Sequence, residues 1–274
     1  MTAGWRLSSV VVCVLALAGC DVVSIAAQSD RARGTFERTL TVNGPVVLSV
    51  RTGSGDIAIR TGADDRVRVV GRITGPRLSS SDAADRVKGI EATPPVEQTG
   101  NIVRIGDTNN DPRYRDVSIS YEVTVPANTQ INAQTGSGDQ SIGRVNRAVR
   151  AQTGSGDIHI EGAGGALDAH TGSGDIQAAA IAGAIKAQTG SGDIDVAQIA
   201  KADVQVRTGS GDVTLSLPAD AAFNLSARTG SGSIDTTQPL EVQGTRRRNR
   251  VDGVVRGGGN RVDITTGSGS IDIR

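Results

Sequence analysis

Apolar and polar residues alternate along most of the chain, and the five-residue phrase TGSGD interrupts this alternation at regular intervals. The phrase begins at Thr135, Thr153, Thr171, Thr189 and Thr208, which gives steps of 18, 18, 18 and 19 residues. The variant TGSGS begins at Thr229 and Thr266, and one more TGSGD begins far upstream at Thr52. A fixed period of this size is typical of repeat architectures in which similar units stack on one another.

Each unit carries apolar residues at alternate positions on both sides of the phrase. The two columns before it are Ile131, Val149, Leu167, Ile185, Val204, Leu225 and Val262, and Ala133, Ala151, Ala169, Ala187, Val206, Ala227 and Ile264. Pairs such as Ile158 and Ile160 continue the alternation after it. This period of two predicts half-buried strands, and the glycines predict a tight turn between them. A short third side is expected to bury Val145, Ile181 and Ile199.

The pattern predicts an all-β fold, a single-stranded parallel β-solenoid with coils of about 18 residues. One unit is too short to bury a core alone, whereas stacked units shelter their apolar columns. Right-handed coils are favoured because right-handed parallel crossovers dominate. Two other solenoids with related periods fit poorly. The hexapeptide helix needs an aliphatic residue at every sixth position, and the calcium-binding roll needs G-G-x-G-x-D-x-U-x twice per coil.

The solenoid is predicted to span residues 36–274 with two interruptions. The first interruption, 74–116, contains a predicted helix with Ala83, Val87 and Ile90 on one face, followed by a short strand pair. We expect this small helical insertion to cap an open solenoid end, where unpaired backbone would otherwise be exposed. The second interruption, 237–261, is predicted to be an irregular loop before a closing coil.

Residues 1–19 are predicted to be a signal peptide, because a short positive start precedes an apolar run too short to span a bilayer. The run ends Leu17-Ala18-Gly19-Cys20, which resembles the bacterial lipobox, so Cys20 is the predicted lipidation site. Ordinary export with cleavage at another small residue is the alternative. Residues 20–35 would then form a lipidated tether, and the mature chain would keep no free thiol because Cys13 leaves with the signal.

Composition limits the function classes. The chain has 29 basic and 29 acidic side chains, so no nucleic-acid partner is expected. Aromatic residues make up only 2% of the chain, which disfavours binding platforms that stack sugars or bases.

The strand Glu122-Val123-Thr124-Val125-Pro126, the serial T-G-S-G-D-I phrases and the early LSVRTGSGDIAI copy resemble the bacterial DUF4097 family. Members of this family are provisionally described as adhesins with β-strand repeats. The resemblance covers about residues 36–274 and implies a cell-envelope role with no known activity. It supplies no catalytic residues.

One row of carboxylates is the main candidate for chemistry: Asp139, Asp157, Asp175, Asp193 and Asp212. Stacked carboxylates repel, and calcium bridging the row is one way to relieve the repulsion. The other is that each Asp accepts turn N–H bonds and faces solvent. Ser233 and Ser270 occupy the same column, and serine is a poor calcium ligand, so turn capping is favoured.

No enzymatic site is predicted. The acids form one regular row, whereas glycosidases need paired acids in a groove. His159 and His170 are expected on the surface, since two histidines without cysteine do not make a metal site.

The sequence therefore favours a non-catalytic envelope lipoprotein without cofactors, exported and lipid-anchored on the periplasmic side or cell surface. It would present a rigid solenoid as an adhesin or interaction scaffold toward an envelope protein or glycan. The alternatives are a calcium-binding module built on the Asp row and, less favoured, a polysaccharide-active β-helix enzyme.

Overall fold

The structure is a computed structural model that describes residues 31–63, 65–77, 82–106, 108, 111–242 and 247–274. The predicted signal peptide, Cys20 and most of the predicted tether lie outside these residues. The first strand begins at Arg31 rather than at residue 36, so the last residues assigned to the tether belong to the folded domain.

The amino-terminal part contains eight strands and helices in sequence order. They are β1 (Arg31–Thr41), β2 (Val46–Ser54), β3 (Ile57–Thr61), β4 (Arg66–Arg77), α1 (Ala83–Ala92), β5 (Val96–Thr99), β6 (Ile102–Ile105) and β7 (Ser118–Val125). A single 3-10 turn at Pro112–Tyr114 precedes β7.

The repeats follow as pairs of strands joined by the TGSGD or TGSGS turn. They are β8 (Thr129–Ser137), β9 (Gln140–Ile142), β10 (Val149–Ser155), β11 (Ile158–Ile160), β12 (Leu167–Ser173), β13 (Ile176–Ile181), β14 (Ile185–Ser191), β15 (Ile194–Gln198), β16 (Val204–Ser210), β17 (Val213–Ser216), β18 (Phe223–Ser231) and β19 (Ile234–Thr236). The last elements are β20 (Leu240–Val242), β21 (Arg250–Val255), β22 (Asn260–Ser268) and β23 (Ile271–Ile273).

Within the described residues the strands form two long sheets rich in parallel pairs. Sheet 1 has 12 strands and contains the strand before each turn, and sheet 2 has 11 strands and contains the strand after it. Neighbouring units are in register: Val149 lies beside Leu167 in sheet 1, and Ile158 lies beside Ile176 in sheet 2. We call one such unit a layer and name it by the threonine of its turn.

The predicted columns point into a single continuous core between the two sheets. In the Thr153 layer, Val149, Ala151, Ile158 and Ile160 are all buried. Isolated parallel bridges from Val145 to Ala163 and from Ala163 to Ile181 make the predicted third side. Alanine at the centre of sheet 1 keeps this core narrow, because longer side chains there would meet the aliphatic residues of sheet 2.

The third side deviates after Ile181. Ile199, predicted to be buried, is 59% exposed, and Gln198 takes the inward place beside Ile181. The pairing register shifts between Ala178 and Ile181, and Ala180 has a φ of 50°. An extra residue in one strand forms a bulge, which moves the following side chains to the other face.

The amino-terminal end closes with antiparallel strands. Strand β4 pairs antiparallel with β7 and with β1, so it does not continue the parallel coils, although most of its residues lie in the stretch predicted to be solenoid. Helix α1 packs against β1 and β4, with Ala83, Val87 and Ile90 buried as predicted. Glycine is required beneath the helix, since a Cβ on Gly34 would overlap the Val87 side chain.

At the other end, the spatial order of the layers differs from their order in the sequence. Sheet 1 runs β16, β22, β18, and sheet 2 runs β17, β23, β19. The last layer, at Thr266, therefore lies between the Thr208 and Thr229 layers. Its Ile271 N–H donates to the Ser233 carbonyl oxygen at 2.9 Å on one side, and the Val213 N–H donates to the Ser270 carbonyl oxygen at 2.9 Å on the other.

The stretch 237–261, expected to be irregular, contains two strands within its described part. Strand β21 pairs antiparallel with β18 on one side and β20 on the other, so sheet 1 extends beyond the Thr229 layer. The chain then turns around the start of β18 through Gly257, Gly258 and Gly259, all with positive φ. The next strand, β22, therefore pairs with β18 on the side opposite β21.

This order of layers makes a prediction about stability. Ile271 is fully buried between two layers, whereas Ile234 is 7% exposed at the edge of sheet 2. Ile271→Ala should lower the free energy of unfolding by about 4 kcal/mol and Ile234→Ala by about 2 kcal/mol, because the edge site can relax into its cavity. Urea denaturation measures both. If the Thr266 layer closed the stack, Ile234→Ala would cost more than Ile271→Ala.

Candidate functional site

The Asp row follows the turns that join the two sheets, and it forms a ladder of hydrogen bonds between layers. The Asp157 N–H donates to Asp139 Oδ1 at 2.9 Å, and the Asp175 N–H donates to Asp157 Oδ1 at 2.8 Å. The same bond joins Asp193 to Asp175 and Asp212 to Asp193, both at 2.8 Å. Each carboxylate therefore holds the backbone of the next layer rather than its own turn.

The ladder has defined ends. At the amino-terminal end the Asp139 N–H donates to Asp56 Oδ1 at 3.1 Å, which places the early TGSGD copy in the same row. At the other end the Ser270 N–H donates to Asp212 Oδ1 at 2.7 Å. The two serine variants, Ser270 and Ser233, are thus neighbours at the end of the row, where fewer layers remain to be bonded.

The threonine of each phrase makes a second ladder, which the sequence analysis missed. Thr171 is fully buried, and its hydroxyl donates to the Gly156 carbonyl oxygen of the preceding layer at 3.0 Å. Thr189 makes the same bond to Gly174 at 3.0 Å. The sequence carried a signal for this ladder. The threonine falls on the inward side of the alternation, and all the remaining inward columns are apolar. A buried hydroxyl needs such a partner.

Both glycines of the phrase are required by the spacing of the layers. A Cβ on Gly172 would lie 2.5 Å from the Gly154 carbonyl oxygen. A Cβ on Gly174 would overlap the Gly156 carbonyl oxygen, and its φ of 138° is rarely adopted by other residues. Four of the five residues in the phrase are therefore explained by contacts between layers, while the serine stays exposed.

This geometry limits the chemistry of the row. One oxygen of each carboxylate accepts a backbone N–H, so the ladder offsets part of the repulsion between stacked charges. The described residues hold no group of three or more His, Cys, Asp or Glu side chains arranged to bind a metal ion. His159 lies on β11 in sheet 2 and His170 on β12 in sheet 1, so the fold does not bring the two histidines together.

Several groups elsewhere in the domain have shifted pKa values. Hydrogen bonding from Arg250 lowers the pKa of Asp252, and hydrogen bonding from Arg68 lowers that of Glu37. Burial raises the pKa of Tyr121, whose ring packs edge-on against Phe36 with centroids 6.4 Å apart. Each of these three shifts follows from an ion pair or from burial in the core.

The outer face of sheet 1 carries a second in-register row, which we call the carboxylate-free row. In spatial order it is Arg51, Gln134, Gln152, His170, Gln188, Arg207, Thr265 and Arg228. Its side chains stand one per layer, about 4.8 Å apart. Gln134 Nε2 donates to Gln152 Oε1 at 2.9 Å, so neighbouring amides bond along the stack.

In the described part of the chain, the structure has no helix that is both long and apolar enough to cross a membrane.

The model of one protein family, Toastrack DUF4097, matches residues 47–274. This confirms the resemblance drawn from the repeats. A search of curated proteins found no match.

Several solved structures are similar at low identity. A Clostridium sporogenes protein provisionally assigned as a cell adhesion protein is 15% identical, with 88% of this chain and 99% of that one covered and a TM-score of 0.36. A Bacteroides fragilis protein provisionally assigned as an adhesin is 14% identical, with 88% and 97% covered and a TM-score of 0.42. A Parabacteroides distasonis protein provisionally assigned as lipid-binding is 9% identical, with 89% and 97% covered and a TM-score of 0.32.

The ladder predicts how substitutions of Asp175 should behave. Asp175→Asn keeps an oxygen for the Asp193 N–H and removes a repelling charge, so its free energy of unfolding should stay within about 0.5 kcal/mol of the wild type. Asp175→Ala leaves that N–H without its partner and should cost about 1 kcal/mol. Thermal melts measure both.

The same two variants test for calcium. If the row bound the ion, calcium would raise the melting temperature of the wild type, a chelator would lower it, and Asp175→Asn would reduce the response. We expect melting temperatures that do not respond to calcium or chelator in any of the three proteins.

Proposed function

The chain belongs to the Toastrack DUF4097 family, and on this basis we propose that it is a non-catalytic, lipid-anchored cell-envelope protein whose β stack serves as an adhesin-like interaction scaffold. Its coils are right-handed with a repeat of about 18 residues. The partner is a protein or glycan of the envelope, and nucleic acid is not among its ligands.

The observation that carries this proposal is the use of the repeated phrase. Its threonine, glycines and aspartate all contact the adjoining layer, so the most regular chemistry in the chain maintains the stack. Regular rows with their polar groups bonded in this way suit a rigid support. They do not provide the convergent acid, base and nucleophile that catalysis requires.

The carboxylate-free row is the surface we assign to binding. It is a straight line of amides, arginines and one histidine on a sheet that is held rigid from below by the core. His170 and Arg207 are exposed, while Gln152 and Gln188 are half-buried. An extended ligand lying along the stack would meet one hydrogen-bonding group per layer. Because backbone pairing already fixes the spacing of these groups, binding would not incur the entropic cost of ordering the backbone.

The anchor is proposed from the leader and from where the folded domain begins. Cys20 would carry the lipids, and two or more acyl chains are needed for stable anchoring. The domain starts at Arg31 in β1, which lies at one edge of sheet 2, with β19 at the opposite edge. Only ten residues separate Cys20 from Arg31, so acylation of Cys20 would tether the whole domain.

The binding face can be tested by reversing its charge character. A variant with Gln152, His170 and Gln188 all changed to Glu should lose retention of envelope fragments from the same bacterium on beads that carry the protein. We expect this loss because three carboxylates replace hydrogen-bond donors of the row. Retention is measured by quantifying bound material against wild-type beads.

The matched control changes the outward residues of sheet 2, His159, Gln177 and Thr214, to Glu. It adds the same charge, and two of its three layers are also altered in the test variant. Retention should persist in the control. Equal loss in both variants, or equal retention, would contradict the assignment of the binding face.

The anchor can be tested with the two cysteines. Cys20→Ser should move the protein from the membrane fraction to the soluble fraction, because the acylated side chain is removed. Cys13→Ser is the matched control and should leave the protein in the membrane fraction, since Cys13 lies within the cleaved leader. Fractionation followed by immunoblotting reads out both. A Cys20→Ser protein that stays with the membrane would refute the lipid anchor.

A further inference from the structure

A groove of about 520 Å³ lies on the side of the stack near its amino-terminal end. It spans the Thr52, Thr135 and Thr153 layers where the chain leaves sheet 2. Its polar lining includes Arg60, Thr61, Ser141, Arg144, Asn146 and Glu161. No repeat column accounts for this combination, because the corresponding positions in later layers carry other residues.

Two arginines from successive layers line this groove. Arg60 is in β3, and Arg144 follows β9 directly after Gly143. In the described part of the chain, neither guanidinium forms a hydrogen bond or ion pair with another residue. Nearby arginines behave differently: Arg68 pairs with Glu37 and Arg72 pairs with Glu122, both at 2.6 Å.

The backbone around Arg144 is fixed by the fold. The Thr61 hydroxyl donates to the Arg144 carbonyl oxygen, which ties the Thr52 layer to the Thr135 layer. The Arg144 side chain lies over Gly162, where a Cβ would stand 3.1 Å from its Cγ and 3.2 Å from its Nε. The glycine therefore leaves room for this side chain on the surface of the adjacent layer.

From this geometry we propose that the groove is a binding site for a single oxyanion group, a phosphate or a carboxylate. An anion held between two guanidinium groups in one groove would offset their mutual repulsion, and their planar forks match phosphate and carboxylate groups in a bidentate manner. Ser141 and Asn146 supply further donors at the lining. Glu161 also lines the groove and forms no ion pair with either arginine, so it reduces the net positive charge of the lining.

This site is independent of the lipid anchor and of the carboxylate-free row. It lies on the other sheet, uses different residues and requires no membrane. Its failure would leave the proposed function intact, and the failure of either earlier test would leave this site intact.

The experiment is a calorimetric titration of the full-length protein in a non-ionic detergent, at constant ionic strength. One arm uses inorganic phosphate and the other uses glucuronate, so that phosphate and sugar-acid sources are distinguished. We expect saturable binding in at least one arm. Arg60→Gln and Arg144→Gln should each weaken it by about tenfold or more, which corresponds to the loss of a charge-assisted contact.

Two further variants make the result specific. Arg104→Gln removes an exposed arginine from sheet 1, outside both the groove and the carboxylate-free row, and should leave the affinity unchanged. Glu161→Gln should tighten binding by about threefold, because it removes a repelling charge from the lining. Thermal melts show whether each variant is folded. The proposal is overturned if neither anion binds saturably, or if Arg104→Gln weakens binding as much as Arg144→Gln does.

Discussion

The close approach of backbone to backbone at the turns is the constraint on which the rest of the structure depends. The second glycine of each phrase lies so near the carbonyl oxygen of the preceding layer that no side chain fits between them. With that approach in place, the aspartate reaches the next N–H and the threonine reaches the preceding carbonyl oxygen. The aliphatic columns then stack in register, because each layer is held at the same strand-to-strand spacing from its neighbour.

Much of the fold follows from local pattern. The period-two alternation around each phrase defines two strands and their inward faces, and the repeat length places like residues above like. The helix at Ala83–Ala92 was also recognisable, because its buried residues have helical spacing. These features depend on residues close in sequence, which is where composition and periodicity carry information.

The features that could not be predicted depend on competition between equivalent partners. The Thr229 and Thr266 layers carry the same TGSGS phrase and similar apolar columns, so the sequence does not indicate which of them lies on the Thr208 layer. Strand β4 alternates like a coil strand, and only its pairing with β1 and β7 shows that it runs the other way. The exposure of Ile199 depends on a bulge in a neighbouring layer, and nothing in its own sequence environment signals it.

The candidate site likewise has features that the sequence predicts and features that it does not. The Asp row was visible as a column, and the favoured reading, acceptance of backbone N–H bonds, has the right chemistry. The donor, however, belongs to the next layer, which a reading of one turn in isolation does not include. The arginine groove was not visible at all, because Arg60 and Arg144 are far apart in sequence and fall at different positions of their units.

The placement of the Thr266 layer has a consequence for how the protein is made. In most repeat proteins each unit contacts only its neighbours in the sequence, so a growing chain can add finished units in order. Here the Thr208 layer receives its neighbour only when residues 260–274 have emerged. Without residues 260–274, β16 and β18 would each lack the neighbour that β22 provides, and unpaired strand edges invite association with other chains. Strands β22 and β23 therefore supply the missing partners of layers that come much earlier in the sequence.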